Sequence, residues 1–283
     1  MAERDDQDDQ DFAEISDDEG PRNKRKAESQ TPSTKSPNKN KRKRRKITDE
    51  DTYDDELGIN TSIGEMDGQL LVDYIAQCSK KFEPKLTMLQ AADQYIPQEA
   101  VVDTGSWNRP RATKNLVSFL RKFAGEGLSY APDDKGSPHT LVIAGAALRA
   151  TDLTRLLRDF QKADAKVGKL FAKHIKLAEA KQFCEKNRYA PFLNLELPGL
   201  HSISMSLGVG TPQRISDLLD DGALSSKHLK RIVIDASHVD QKRRGILDMR
   251  ETHVPLIKLL SRSEFRKRYD SADEGQRLKL LFY

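Results

Sequence analysis

From residue 140 onward the apolar positions alternate between two rhythms, and the alternation predicts a succession of strands and helices. Leu141-Val142-Ile143-Ala144 is apolar at every position, as a strand covered on both faces must be. Leu153, Leu156, Leu157 and Phe160 then fall at i, i+3, i+4 and i+7 of a helix. Val167 to Phe171 reads as a second strand and Ile175 to Asn187 as a second helix, with an excursion over Pro191–Leu200. Ile203, Met205, Leu207 and Val209 alternate as a third strand. The helix after it has Thr211 as a capping residue, Pro212 in its first turn, and Ile215, Leu218 and Leu219 facing inward. Ile232-Val233-Ile234 is a fourth strand. Helices over 245–260 and 263–269 and an apolar segment over 278–282 complete the pattern. Strands separated by helices imply right-handed crossovers around one parallel sheet, an α/β fold with helices on both faces.

Upstream, Leu70, Leu71, Tyr74 and Ile75 predict a helix, and a second runs from Thr87 to Tyr95, before Pro97. Residues 101–113 carry Gly105, Pro110 and the only tryptophan, Trp107, and read as a loop leading into a helix over Asn115–Phe123. Residues 125–138 form a glycine- and proline-rich connection.

Composition changes the picture at the N-terminus. The net charge of +4 hides strong segregation: residues 1–20 are dominated by Asp and Glu, whereas residues 22–46 hold twelve Lys or Arg against the single acid Glu28. Like-charge blocks repel themselves and bury nothing, so residues 1–64 are expected to be a disordered tail and residues 65–283 the folded domain. Cys78 and Cys184 lack metal-ligand spacing and are expected to be reduced thiols. The acidic N-terminus has no apolar core of a signal peptide, and no apolar run approaches ~18 residues, so neither secretion nor a membrane span is expected.

Within the tail, Lys24-Arg25-Lys26 and Lys41-Arg42-Lys43-Arg44-Arg45-Lys46 form a two-part basic cluster suited to an importin, to nucleic acid, or to both. RNA contact by these side chains would be sequence-blind and salt-sensitive. Ser16 and Thr48 each precede acidic residues, as sites for an acid-directed kinase do, and phosphates there would offset the basic block.

In open parallel sheets ligands lie beyond the carboxyl ends of the strands, here Gly145, Thr211 and Asp235. Nucleotide hydrolysis needs a phosphate-cradling G-x-x-x-x-G-K-[ST] loop, and the chain has none. Thr104-Gly105-Ser106 is followed by Trp107, Asn108 and Arg109, with no lysine and hydroxyl to grip phosphates and Mg²⁺. No cofactor, metal or small-molecule substrate is therefore expected. Asp235, Ser237 and His238 are sequence neighbours and do not read as a triad, and His228, His238 and His253 have no ligand spacing. The turn Gly210-Thr211-Pro212-Gln213-Arg214 offers a helix N-terminus and a guanidinium to an RNA phosphate, or serves only as a cap. Lys242 and Arg243, in the run Gln241–Arg244, either extend a basic rim or are a solvated face.

The stretches VIAGAALRATDLTRLL, GKLFAKHIKL, VGTPQRISDLLDDGAL and LKRIVIDASHVDQKRRGILDMRE, behind an acidic-then-basic tail, resemble the Cms/CMSS family over roughly residues 65–270. The resemblance implies a nucleolar subunit of the early, U3-containing small-subunit pre-ribosomal particle, with pre-rRNA or snoRNA and particle proteins as partners. A wider similarity is to the first RecA-like domain of DEAD-box helicases. Leu141–Ala150 matches the strand and loop that contact RNA there, which brings in Arg149. Thr211, Pro212 and Arg214 match a Thr-Pro-Gly-Arg motif, and Asp235-Ala236-Ser237-His238 occupies the place of Asp-Glu-Ala-Asp. Gln213 replaces a glycine, and Leu148-Arg149 stands where Glu-Leu is usual. Ala236 stands where the helicases keep the Glu that activates water. The expectation is a degenerate RecA-like domain that is not an enzyme. A weak RNA-dependent NTPase and a protein adaptor without RNA contact are the alternatives.

Overall fold

The structure is a computed structural model that describes residues 52–125, 127–171, 184 and 204–283. Its centre is a five-stranded parallel sheet. The strands are β3 (Thr140–Ile143), β4 (Ala165–Leu170), β5 (Ser204–Gly210), β6 (Arg231–Ile234) and β7 (Lys279–Phe282), in the order β4-β5-β3-β6-β7. The parallel α/β sandwich expected from the strand–helix alternation is what the chain forms.

The apolar runs explain why helices cover both faces. Successive side chains of a strand point to opposite faces. Leu141, Ile143, Ile232, Ile234, Leu280 and Phe282 pack on one side with α2 (Gly68–Phe82), α6 (Pro212–Asp220), α7 (Arg250–Leu260) and α8 (Ser263–Tyr269). Val142, Val233, Leu281, Leu207 and Val209 pack on the other with α4 (Leu116–Phe123) and α5 (Ala147–Leu157). All seven residues of β5 are buried, Ser204 and Ser206 included, because this strand lies between two others and beneath helices. Gly208 and Gly210 fit where a Cβ would come within 2.7 Å of Leu170 Cδ1 and 2.4 Å of the Leu170 carbonyl.

Several boundaries differ from the sequence reading. The short helix α3 (Met88–Gln94) has the Thr87–Gln90 capping box and buries none of its residues. The helix read over 245–260 starts at Arg250, because Gly245 N donates to Asp248 Oδ2 and the segment before it is a turn. Most important, ordered packing reaches back past residue 65, into what the sequence assigns to the tail. A hairpin of β1 (Tyr53–Asp54) and β2 (Ile59–Asn60) and the turn of helix α1 (Ser62–Glu65) bury Ile59 and Ile63. Asn60 N donates to the Ser237 carbonyl at 2.7 Å and Val239 N to Gly58 O at 3.0 Å, so the hairpin lies along the segment after β6. The helix read over 175–187, the excursion at 191–200, and the tail residues Ser16, Thr48, Lys24–Lys26 and Lys41–Lys46 lie outside the described residues.

Candidate functional site: the carboxyl rim of the sheet

Val101 bridges Leu280 in parallel and Val102 N donates to Leu280 O at 2.9 Å, so the chain enters the rim beside β7. It then turns through Asp103–Trp107, where Asp103 Oδ1 accepts from Gly105 N at 2.8 Å. Trp107 leaves the turn to pack edge-on against Phe119, 5.4 Å between ring centres, and Lys122 Nζ donates to the Ser106 carbonyl. Both contacts fasten the loop to α4.

Behind this loop, among the described residues, the carboxyl ends of β6 and β7 are filled by protein groups. Asp235, at the end of β6, is 3% exposed, and Arg149, from the start of α5, is 7% exposed. Arg149 Nε donates to Asp235 Oδ2 at 2.7 Å and Nη2 to Oδ1 at 3.0 Å, while Nη1 donates to Thr113 Oγ1. This two-pronged pair occupies both carboxylate oxygens. Arg111 is equally buried. Its Nη1 donates to the Phe282 carbonyl and its Nη2 to Thr104 Oγ1 at 2.8 Å, and burial lowers its pKa to about 10, so it stays charged at neutral pH. Tyr283 closes the far side. Its hydroxyl donates to Ala112 O at 2.7 Å, and its backbone carbonyl accepts from Ala236 N and Ser237 N, each at 2.7 Å. Burial pushes the Tyr283 phenol pKa up, so it stays a donor.

The residues singled out in the sequence are distributed unevenly around this network. Arg149 and Asp235 meet, and Arg149 is therefore a buried partner of Asp235 and not an open RNA-facing cation, because the carboxylate needs its charge neutralised inside the fold. Ala236 and Ser237 are buried, and Ser237 Oγ has no hydrogen bond. Half-buried His238 has its pKa lowered, first by burial and then by the nearby Arg149 charge. Gly210 is a packing glycine beneath Leu170. Thr211 sits at the N-cap of α6 with extended backbone, but its side chain makes no capping bond. Pro212 starts the helix, and the Thr211 carbonyl accepts from Ile215 N at 3.0 Å. Arg214 is half-buried, with Nη1 enclosed and unbonded. Lys242 is exposed. Arg243, with φ +56°, pairs with Asp55 at 2.6 Å and lies over the Tyr53 ring at 5.5 Å, so it fastens the hairpin. Among the described residues no cluster of three or more His, Cys, Asp or Glu can hold a metal ion, and no helix is long and apolar enough to cross a membrane.

Sequence reasoning missed Arg111, Thr113 and Tyr283. Arg111 stands in a proline-flanked loop with no motif around it, and its acceptor lies 171 residues further along the chain. A lone loop arginine carries no local sign of that.

A family model described as "CMS1: U3-containing 90S pre-ribosomal complex subunit" matches residues 5–283. The chain belongs to this family. Among its curated relatives is Protein CMS1 of Chaetomium thermophilum, 44% identical over 272 residues, 95% of both chains. Another is Protein CMSS1 of Homo sapiens, 31% identical over 178 residues, 59% of this chain and 58% of the human one. Protein cms1 of Schizosaccharomyces pombe is 27% identical over 191 residues, covering 68% of this chain and 62% of that protein. A chain in the solved complex of a Saccharomyces cerevisiae Dbp5 variant with Nup159, a Gle1 variant, IP6 and ADP aligns at a TM-score of 0.34 and 12% identity. It covers 74% of this chain and 45% of that one.

Proposed function

We propose that this family member is a non-catalytic subunit of the early small-subunit pre-ribosomal particle, in which a degenerate helicase-like domain serves as a docking module for pre-rRNA or snoRNA and particle proteins. The observation that carries the reading is the occupied carboxyl end of β6. Where an open parallel sheet would receive a nucleotide, Asp235 is engaged by Arg149. The loop at 103–107 is held by Trp107 and Lys122. A Mg²⁺ ion at Asp235 would have to displace a buried guanidinium, and Ala236 supplies no base to activate water. In this reading exposed Lys242 and the partly exposed Thr211 and Arg214 would meet RNA phosphates. The basic cluster of the tail supplies importin recognition and electrostatic capture, which directs the protein to the nucleus and nucleolus.

The test pairs two measurements on the full chain. Gradient sedimentation of a tagged protein should place it with U3 in the large early particle, and equilibrium titration with a fluorescent ATP analogue and Mg²⁺ should give no saturable binding. RNA-stimulated phosphate release from ATP would overturn the non-catalytic reading and favour an NTPase.

A further inference from the structure

At the opposite, amino edge of the sheet a pocket of about 410 Å³ opens between the 127–139 connection and residues 227–231, which lead into β6. The volume falls within the roughly 300–1,000 Å³ typical of small-ligand sites. Its walls are stitched together before anything enters. Lys230 N donates to His139 O at 2.9 Å, Ser225 N to Gly136 O at 2.8 Å, and Lys227 Nζ and His228 Nε2 both meet Asp134 Oδ2, at 2.6 and 2.7 Å. Gly136 permits this approach: its φ is +59°, and a Cβ would come within 2.2 Å of Ala223 O.

The lining has three chemical parts. At the mouth the Tyr130 side chain is 63% exposed, an aromatic left uncovered beside a polar cavity. Around it stand Lys227, Lys230 and Arg231, and exposed Lys279 lies beside Arg231 in the sheet register. In the wall is His139, 4% exposed, with Nδ1 2.7 Å from Thr140 Oγ1 and Nε2 enclosed by protein. Asp133 contributes an exposed carboxylate at the lip. An exposed aromatic face, several cations and a carboxylate at the lip are what a nucleotide of a single strand requires. The base stacks, the backbone phosphates meet ammonium and guanidinium groups, and the amino groups of the base edge find an acceptor.

We infer that this amino-edge pocket binds a nucleotide of single-stranded RNA, with Tyr130 stacking on the base, Lys230 and Arg231 on its phosphates, and Asp133 on its edge. The inference rests on the proposed RNA-contacting role and adds a contact at the edge of the sheet opposite Thr211 and Arg214.

The test uses full-length protein with Lys41–Lys46 changed to Ala, so that the tail cannot mask the domain, and a fluorescein-labelled 12-nucleotide single-stranded RNA read by anisotropy. Tyr130→Ala should weaken binding roughly tenfold, and Tyr130→Phe should bind like the parent. Lys230→Ala should flatten the plot of log affinity against log salt by about 0.7, one phosphate contact. Ultraviolet crosslinks should fall on the peptide that contains Tyr130. Both side chains are exposed, and unchanged melting curves will confirm folding. If Thr211→Ala/Arg214→Ala abolishes binding while the Tyr130 and Lys230 variants bind normally, this site is wrong and the RNA reading stands. Loss with Lys230→Ala but not Tyr130→Ala overturns the stacking pocket in favour of a phosphate-only surface. If the tail-substituted parent binds no RNA, the RNA reading itself fails.

Discussion

Removing Asp235 tests most directly whether the rim is a structural closure. In the folded protein Arg149 is 7% exposed and Asp235 3%, and two hydrogen bonds of 2.7 and 3.0 Å join them. Asp235→Ala leaves a guanidinium buried with Thr113 Oγ1 as its remaining side-chain acceptor. Breaking such a pair from one side costs about 3–5 kcal/mol. That is a large part of the ~5–15 kcal/mol that holds a domain folded. Replacing both partners with apolar residues of similar volume, Arg149→Met with Asp235→Leu, should recover most of the loss, because no uncompensated charge is then left inside. Urea unfolding followed by fluorescence of Trp107, which packs on Phe119 beside this rim, reads the difference as a lower midpoint at unchanged slope. A single-variant loss below about 1 kcal/mol, or a double variant less stable than either single one, would refute the argument. So would a rise in the wild-type midpoint with added Mg²⁺ and ATP, since a ligand that binds only the folded state stabilises it.

Three further outcomes are expected. Gly136→Ala should cost about 2–3 kcal/mol in the same unfolding assay, because it combines a positive φ with a contact of 2.2 Å to a backbone carbonyl. Burial lowers the pKa of His139 and of His253 to about 4, so the unfolded chain binds protons that the folded one refuses between about pH 6.5 and 4. Stability should therefore be fully present above pH 6.5 and fall as pH drops through that window, by at most about 1.4 kcal/mol per pH unit for each histidine. His253→Gln should flatten the fall; a stability that rises on acidification would contradict this. Changing Lys41–Lys46 to Ala should shift a fluorescent fusion from nucleus to cytoplasm, and an attached independent import signal should restore it. Unchanged nuclear accumulation would remove the tail's import role.

The order of strands and helices was legible along the chain because apolar periodicity is a local property. Leu141–Ala144 and Ile232–Ile234 are apolar at every position since both faces of their sheet are covered, and α6 follows from the Pro212 start and the spacing of Ile215 and Leu218. That no G-x-x-x-x-G-K-[ST] pattern occurs and that Ala236 follows Asp235 could be read from residue types alone. What the side chains do at the rim could not. Arg149 and Asp235 are 86 residues apart, and nothing in the spacing of either says that one neutralises the other. The hairpin over 53–60 is short and flanked by acids, so its composition blends with the tail. Only its bonds to Ser237 and Val239 make it part of the domain. The amino-edge pocket needs Tyr130 and His139 brought to Lys230 by strand pairing. Local periodicity determined the elements, whereas charge neutralisation and cavity formation depend on which distant residues the folded sheet places side by side.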